Sequence, residues 1–497
     1  MIKTLTGWLL CATIMLTASC RLIYPNEDFD SYHNLSASNP YPFHEVQVYD
    51  PKTGHNHNEF TLLDSGLVAL QARLEMIRRA KHSIAVEYFI FSPDISGKLL
   101  VHELIDASRR GVSVRILIDK SSTVFQFDEY YAEALKAEGI EVRYYNAAPL
   151  YFFSTINFRN HRKLLLVDDR EAITGGRNVE NDYFDLSEQF NFLDRDVLVQ
   201  GDIVKTMRLS FDAFFEHEIS ERPTPPSANS NREREVKNFL ASSEQEKQYR
   251  QQIAAIAQPL LAKLPQYACP VTTFTSDAPG GSFWSRFRDP YSDDYRFLRK
   301  TLFDKAVAVE HRLTAASPYM IHNKKSADLM QRMQDKGVDI TLYTNSLAST
   351  DASYVAARLY DNVYDWQRSG IKIYLHSGLW AAETPAVSPA VEAATWGMHG
   401  KTQVYDSNEI MVGTYNLDNR SNHYNSEMAI FCSGNKELAA AVEDSIMTRA
   451  QQGYQIVGDQ RAVDADGNEV SVYGAGDPDT RKMRFMWLPS WLFEFLL

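Results

Sequence analysis

Two short stretches of the chain carry the residue types that could do chemistry together. In "NHRKLLLVDDREAITGGRN", residues 160–178, His161 and Lys163 stand two positions apart, Asp168 follows five positions after the lysine, and Gly175, Gly176 and Asn178 close the stretch. In "HGKTQVYDSNEIMVGTYNLDNRSNHYNSE", residues 399–427, His399, Lys401 and Asp406 repeat that spacing, and Gly413, Thr414 and Asn416 fall where Gly175, Gly176 and Asn178 fell. On an extended strand alternate side chains share a face. Each histidine therefore projects with its lysine, while Leu164 to Val167 carry the first run into a core. A single pair of this kind is most simply structural. Two copies brought around one point place two imidazoles and two ammonium groups together, and such a set asks for an anion. Lysines and asparagines can hold the non-bridging oxygens of a phosphate and stabilise the charge of a transition state. One imidazole can attack phosphorus while the other protonates the departing alcohol. Each imidazole also needs its second nitrogen held, for which "FLDRDVLV" offers Asp194 and "NSEMAIF" offers Glu427. This chemistry calls for no metal and no cofactor. A dinuclear His/Asp/Glu metal site is the weaker reading, since no CxxC or Cys/His metal spacing occurs,.

The elements that must position these residues are also doubled. "HSIAVEYFIF" has strand composition, "GKLLVHELIDASRRG" has helical spacing of apolar residues, and "VSVRILID" and "GIEVRYYN" are further strands,. Downstream, "HRLTAASPYMI", the helical "SADLMQRMQDKG", "VDITLYTNS" and "GIKIYLHS" follow in the same order. Gly111-Val112 corresponds to Gly337-Val338, and Gly139-Ile140 to Gly370-Ile371. A strand–helix–strand rhythm predicts a sheet with parallel strands and helices on its faces. The repeat is far longer than a solenoid or propeller period, so it reads as two copies of one α/β domain packed face to face.

Length and composition agree. A chain of 497 residues favours two domains of about 150–200 residues,, and 44% hydrophobic with 23% charged residues is a globular composition,. The net charge of -13 argues against a nonspecific nucleic-acid binder,, and it leaves any attraction to an anionic lipid surface local or hydrophobic. We expect a signal peptide over 1–20, an N-terminal segment over 21–60, a first domain over 61–220 and a linker with an inserted helix over 221–270. A second domain over 271–455 and an aromatic tail over 456–497 complete the chain. The linker rests on "ERPTPPSANSNREREVKNF" and the helical "EQEKQYRQQIAAIAQPLLAKL". The ending "RFMWLPSWLFEFLL" suits a membrane interface or a tail packed on the body,.

The first twenty residues join Lys3 to an apolar stretch too short for a span and end in Ala18, Ser19 and Cys20,. The stretch resembles a bacterial lipoprotein signal with Cys20 as the lipidated residue, although Thr17 stands where leucine is usual. Ordinary secretion is the competing reading. Either puts the protein in the cell envelope, and Arg21 after the cysteine points to the outer rather than the inner membrane. Of Cys11, Cys20, Cys269 and Cys432, the last two remain available to pair, which the sequence leaves open,.

The doubled HxKxxxxD pattern with G(G/T)xN behind it resembles the phospholipase D superfamily over roughly residues 60 to 455. Within it, "TGGRNVENDYF", "TNSLASTD" and "VGTYNLDNRSNHYNSEMAIF" are most similar to bacterial cardiolipin synthases of the C type. The resemblance implies two tandem phospholipase D-like α/β domains related by a pseudo-twofold, with one active site at their interface. It implies a two-step displacement through a phosphohistidine, with His161 as nucleophile and His399 as general acid, an assignment the symmetry leaves reversible. Lys163, Lys401, Asn178 and Asn416 would bind phosphate, while Asp168 and Asp406 complete the catalytic motifs by holding their architecture. Two departures stand out: Thr414 replaces the usual serine, and Gly400 between His399 and Lys401 is unusually permissive.

Fold and first step do not select the acceptor. Transfer to phosphatidylglycerol or another phospholipid makes cardiolipin; transfer to water makes phosphatidic acid, as a phospholipase D does. A nuclease is disfavoured by the acidic balance and the fused halves. A non-catalytic membrane-binding module would be expected to have lost a histidine or lysine, and all four are present. Phospholipid substrates and a membrane surface are the expected partners, with "PLYFFSTINF" a candidate acyl-chain wall or ordinary core.

Overall fold

The computed structural model describes residues 46–48, 58–121, 125–147, 157–280, 296–321, 324–381, 383–476 and 478–492. The expected signal peptide with Cys20, the aromatic stretch 149–156 and the last residues 493–497 lie outside the described residues.

Local chemistry accounts for the first elements. The β-branched runs "SIAVEY" and "SVRILID" form strands Ser83–Tyr88 and Ser113–Asp119,. Between them Asp94 accepts the N–H of Gly97 and starts helix Ile95–Arg109, whose apolar stripe Leu99, Leu100, Leu104 and Ile105 is buried,. Strand Glu141–Tyr145 follows helix Glu129–Ala137. These three strands pair in parallel. The second half repeats the unit with parallel strands Arg312–Ala316, Asp339–Asn345 and Lys372–His376, crossed by helices Lys324–Asp335 and Ser353–Arg368.

Each parallel unit is extended on one side by an antiparallel hairpin that begins at a histidine motif, so the sheets are mixed rather than parallel. Leu164–Val167 lies against Ser83–Tyr88 and then pairs with Glu171–Gly175. Thr402–Tyr405 lies against Arg312–Ala316 and pairs with Glu409–Gly413. Turns this short allow only antiparallel pairing. Asp196–Gln200 and Glu59–Leu63 continue the first sheet, and Met428–Ser433 and Val271–Ser276 continue the second in the same order. The two sheets pack through one apolar layer, in which Leu164, Leu166 and Val197 of the first meet Val404, Ile410, Val412 and Ile430 of the second. A short parallel ladder, Phe190–Leu193 with Thr395–Met398, stitches the halves together beside that layer.

The stretch expected as a linker with one inserted helix is instead two helices, Ser230–Leu240 and Glu244–Leu261. Each has an apolar stripe, and Val236, Phe239, Ile253 and Ala257 join the core of the first half. Cys269 and Cys432 form a disulfide with Cα atoms 5.6 Å apart, which ties the chain entering Val271–Ser276 to its neighbour Met428–Ser433.

Candidate active site

Both histidines stand just before their hairpin strands, and each is anchored by the opposite half. The His161 N–H donates to Ser426 O at 3.0 Å, and the His399 N–H donates to Leu193 O at 2.7 Å. The side chains cross in the same way. His161 Nδ1 lies 3.0 and 3.1 Å from the two Glu427 carboxylate oxygens, and His399 Nδ1 lies 2.6 Å from Asp194 Oδ2. Among the described residues neither imidazole is held by a carboxylate of its own half. The four motif residues are buried, with His161 at 8% and His399 at 4% exposure.

The lysines curl back onto their own motifs. Lys163 Nζ donates to His161 O at 2.7 Å and Lys401 Nζ to His399 O at 2.8 Å. Lys401 Nζ also lies 3.0 and 3.2 Å from the ring nitrogens of His399. Burial strips both ammonium groups of water and brings Lys163 down from 10.5 to about 7 and Lys401 to about 8, despite Glu427 and Asp194 nearby,. Burial also pulls His161 to about 4 against Glu427, with Lys163 and Lys401 adding to the effect. His399 falls well below 6.5 through burial and the fields of Lys401, Lys163 and His161. Each half therefore acts on the other's imidazole, and the two motifs form one site. Burial pushes Asp194 up against Lys401 and Arg177. Glu427 is equally buried, yet His161, Lys163 and Thr414 hold it below the usual carboxylate range. Such a site is cationic and dry, and a phosphodiester anion would supply the missing countercharge.

The remaining expected residues divide by place. Asp168 and Asp406 were grouped with the catalytic residues, but each lies past the far end of a four-residue strand, in a turn with φ near +50°. Asp168 accepts the N–H groups of Lys81, His82 and Ser83 at 2.7–2.9 Å, and Asp406 those of Glu310, His311 and Arg312 at 2.7–3.0 Å. They are positioning residues, and the five-residue spacing is the length of the strand between lysine and turn. Asn178 is buried; its Oδ1 accepts the N–H of Ile90 at 3.2 Å and its side chain also hydrogen-bonds Tyr183. Asn416 is buried, and its backbone N–H donates to Ser421 Oγ at 3.1 Å.

Glu427 and Thr414 were anticipated, but Ser421, Asn425, Phe89, Tyr183 and Phe192 were not. Glu427 accepts from the Thr414 hydroxyl, from Ser421 Oγ at 2.8 Å and from Asn425 Nδ2 at 3.3 Å. Phe89 meets His161 edge-on at 5.2 Å, while Tyr183 and Phe192 hold the His399 ring at 5.0 and 4.9 Å. Arg162, between His161 and Lys163, points the other way, pairing with Glu87 at 3.1 Å and stacking 3.8 Å from the Phe214 ring. The polar run "NLDNRSNHYNSE" was the one available hint of the donors around Glu427. Gly400 has an ordinary backbone, and an added Cβ would meet nothing closer than 3.8 Å. Its freedom is not used, which corrects the weight placed on it. Gly176 is the glycine that matters, since a Cβ there would fall 2.2 Å from Asp194 Oδ1. Among the described residues no group of His, Cys, Asp and Glu is spaced to hold a metal ion.

The family profile described as "Cardiolipin synthase, PLD-like domain" matches residues 74–214 and 302–448, once in each half. The chain is 28% identical over 432 residues to an uncharacterized protein of Helicobacter pylori 26695, covering 82% of each chain. It is 27% identical over 410 residues to cardiolipin synthase C of Escherichia coli K12, covering 77% of this chain and 82% of that one. The solved phosphatidylserine synthase of Haemophilus influenzae shares the fold, with a TM-score of 0.59 over 88% of this chain and 95% of that one at 14% identity.

Proposed function

The chain belongs to the family of cardiolipin synthase PLD-like domains, and on that premise we propose that it transfers phosphatidyl groups between phospholipids through a phosphohistidine, making cardiolipin from phosphatidylglycerol and a second phospholipid. The observation that carries the reading is the crossed pairing, in which each imidazole is held through Nδ1 by a carboxylate of the other half beside two buried lysines. Glu427, ionised, takes the Nδ1–H of His161 and leaves the Nε2 lone pair for phosphorus,. Asp194, pushed toward neutrality, shares a proton with His399 Nδ1, and Nε2 can then carry one for the leaving alcohol. In the first step the His161 Nε2–P bond forms, the P–O bond to the leaving group breaks, and His399 gives that oxygen its proton. In the second the acceptor hydroxyl attacks phosphorus, His399 removes its proton, and the P–N bond breaks. Lys163, Lys401, Asn178 and Asn416 hold the non-bridging oxygens throughout.

A membrane surface fits the C-terminal helix Thr480–Leu492. Phe485, Trp487 and Leu488 are exposed there at 77%, 45% and 54%, next to exposed Arg481, Lys482 and Arg484, a combination suited to lying in an anionic lipid interface. Placement in the envelope is supported by the lipoprotein-like Cys20 and by the Cys269–Cys432 disulfide,. No described helix is long and apolar enough to cross a membrane.

The test is lipid product analysis. Purified protein is mixed with phosphatidylglycerol vesicles, with and without phosphatidylethanolamine, beside His161→Ala and His399→Ala variants. We expect cardiolipin from the parent alone. Phosphatidic acid as the sole product would make the protein a hydrolase, and no lipid product under either condition would overturn the phospholipid reading.

A further inference from the structure

The two halves repeat their topology but not their packing. Helix Ile95–Arg109 of the first half presses Leu99, Leu100, Val101 and Leu104 fully into its core. Its counterpart in the second half, Lys324–Asp335, buries Met333 but leaves Leu329 and Met330 half-buried. Beneath that helix lies a cavity of about 150 Å³, walled mainly by apolar side chains that include Leu302, Phe303, Met320, Met330, Met333 and Trp366.

Its position is set by the chemistry-bearing motif. Tyr415 and Leu417 line the cavity, and Asn416 stands between them. Gln403 also lines it, two residues beyond Lys401 on strand Thr402–Tyr405. Neighbouring Cα atoms are about 3.8 Å apart, so the wall of the cavity is one residue removed from a phosphate-binding position. Among the polar groups of its lining, Arg299 Nη1 donates to Asn422 O at 3.0 Å and lies 3.0 Å from His423 Nδ1.

We propose that this cavity takes the end of one acyl chain of the phospholipid whose phosphate sits between Lys163 and Lys401; the assignment rests on the phosphatidyl-transfer reading above. A mainly apolar cavity of this volume admits a guest of about six carbons, small for a headgroup but the size of a chain terminus. Met320, Met330 and Met333 make the wall adaptable,, and the half-buried helix above it can yield to a longer segment. In the first half the matching helix Ile95–Arg109 instead packs Leu99, Leu100, Val101 and Leu104 into the core. The two halves therefore treat donor and acceptor lipids differently.

Trp366 in the wall is a reporter. The intact protein is titrated with phosphatidylglycerol brominated near the acyl termini, in detergent micelles. We expect part of the tryptophan emission to be quenched, with that part absent in Trp366→Phe and in Ala306→Phe, whose ring fills the cavity. Ala306→Phe should also lose about tenfold or more in kcat/KM on long-chain phosphatidylglycerol while keeping its rate on the dibutyryl lipid, as a pocket for methylenes discriminates. Equal quenching in the parent and Trp366→Phe overturns the proposal. Quenching at Trp366 with no lipid product from the parent at any chain length would instead overturn the phosphatidyl-transfer reading and leave a lipid-binding cavity. Should Ala306→Phe lose its rate on the dibutyryl lipid as well, the Trp366 comparison alone decides.

Discussion

The two halves hold their imidazoles with carboxylates that differ by one methylene, and the residue opposite each carboxylate differs to match. Asp194 reaches His399 over Gly176, where any Cβ would collide with it. Glu427 reaches His161 past Thr414, the counterpart of Gly176, and accepts that residue's hydroxyl together with Ser421 and Asn425. The short carboxylate needs an empty neighbour; the long one is steered by a hydroxyl. Thr414 is therefore half of a matched pair rather than a bulky stand-in for serine. The donors around Glu427 favour its ionised form, while the less satisfied Asp194 is pushed up by burial,. A pseudo-twofold that is kept in the reacting groups and broken in their supports can give two like histidines different work.

The sharpest way to break this comparison is to remove one histidine at a time. His161→Ala and His399→Ala should each lower full turnover by at least about 10⁴-fold, since nucleophile and acid act as a unit. They should differ with bis(p-nitrophenyl) phosphate, whose leaving group needs no proton. His399→Ala should release a stoichiometric burst of p-nitrophenol and gain the mass of a phosphoryl adduct at His161, and His161→Ala should do neither. An adduct on His399 in the His161→Ala protein would reverse the assignment.

The lysines separate the halves next. Folding lowers the pKa of Lys163 from 10.5 to about 7 and of Lys401 to about 8. The unfolded chain thus binds more protons between those values, and stability from these groups falls as pH drops from about 10.5 to about 7, then levels. Lys163→Met and Lys401→Met should abolish turnover yet raise stability, by on the order of 1–3 kcal/mol at pH 6, because burial disfavours the charge that each lysine carries there,. Lys163→Met should gain more, because Lys401 has Asp418 and Asp351 as further partners. Thermal melts across pH check this: the gap between variant and parent should close above pH 10, and tungstate, as a bound anion, should close it at pH 7. A gap independent of pH would remove the electrostatic account.

Much of this arrangement was legible in the sequence, and the limit is physical. Spacing along a strand fixes which side chains share a face, so His161 with Lys163 and His399 with Lys401 needed no coordinates. Strand and helix periods likewise located Ser83–Tyr88, Ile95–Arg109 and Asp339–Asn345 within a few residues. Asp194 and Glu427 could be named but not paired, because the crossing is set by the ladder Phe190–Leu193 with Thr395–Met398 and by the contact of Asn160 with Ser426. Both join residues more than 200 positions apart in the chain. The architectural role of Asp168 was implied by the resemblance, but its three N–H partners could not be named because they lie 85–87 residues upstream. The cavity beneath Lys324–Asp335 was invisible because its apolar pattern matches that of a filled core.

The pairing of residues 176 and 414 with their carboxylates gives a graded test. Gly176→Ala must displace Asp194 and should lower kcat by about 10²-fold or more, the scale of a lost orienting contact. Thr414→Ala removes one donor from Glu427 and should cost about 1–2 kcal/mol in transition-state stabilisation, read as kcat/KM, while Thr414→Ser keeps the hydroxyl and most of the rate. Gly176→Ala being milder than Thr414→Ala would mean that Asp194 has room the geometry denies it.

The smallest expected effect comes from the position where the halves differ most in size. Arg162 lies between His161 and Lys163 and is buried against Glu87 and Phe214; Gly400 occupies the matching place and faces only the Arg195 backbone N at 3.8 Å from an added Cβ. Because the Gly400 backbone is one that any residue adopts, alanine there meets neither strain nor collision and restricts the unfolded chain. Gly400→Ala should leave kcat/KM within about twofold and raise stability by about 0.4–1 kcal/mol, measured by urea melts. A large loss of activity would show that the backbone between His399 and Lys401 must move during turnover, which would distinguish the two halves by motion rather than by their carboxylates.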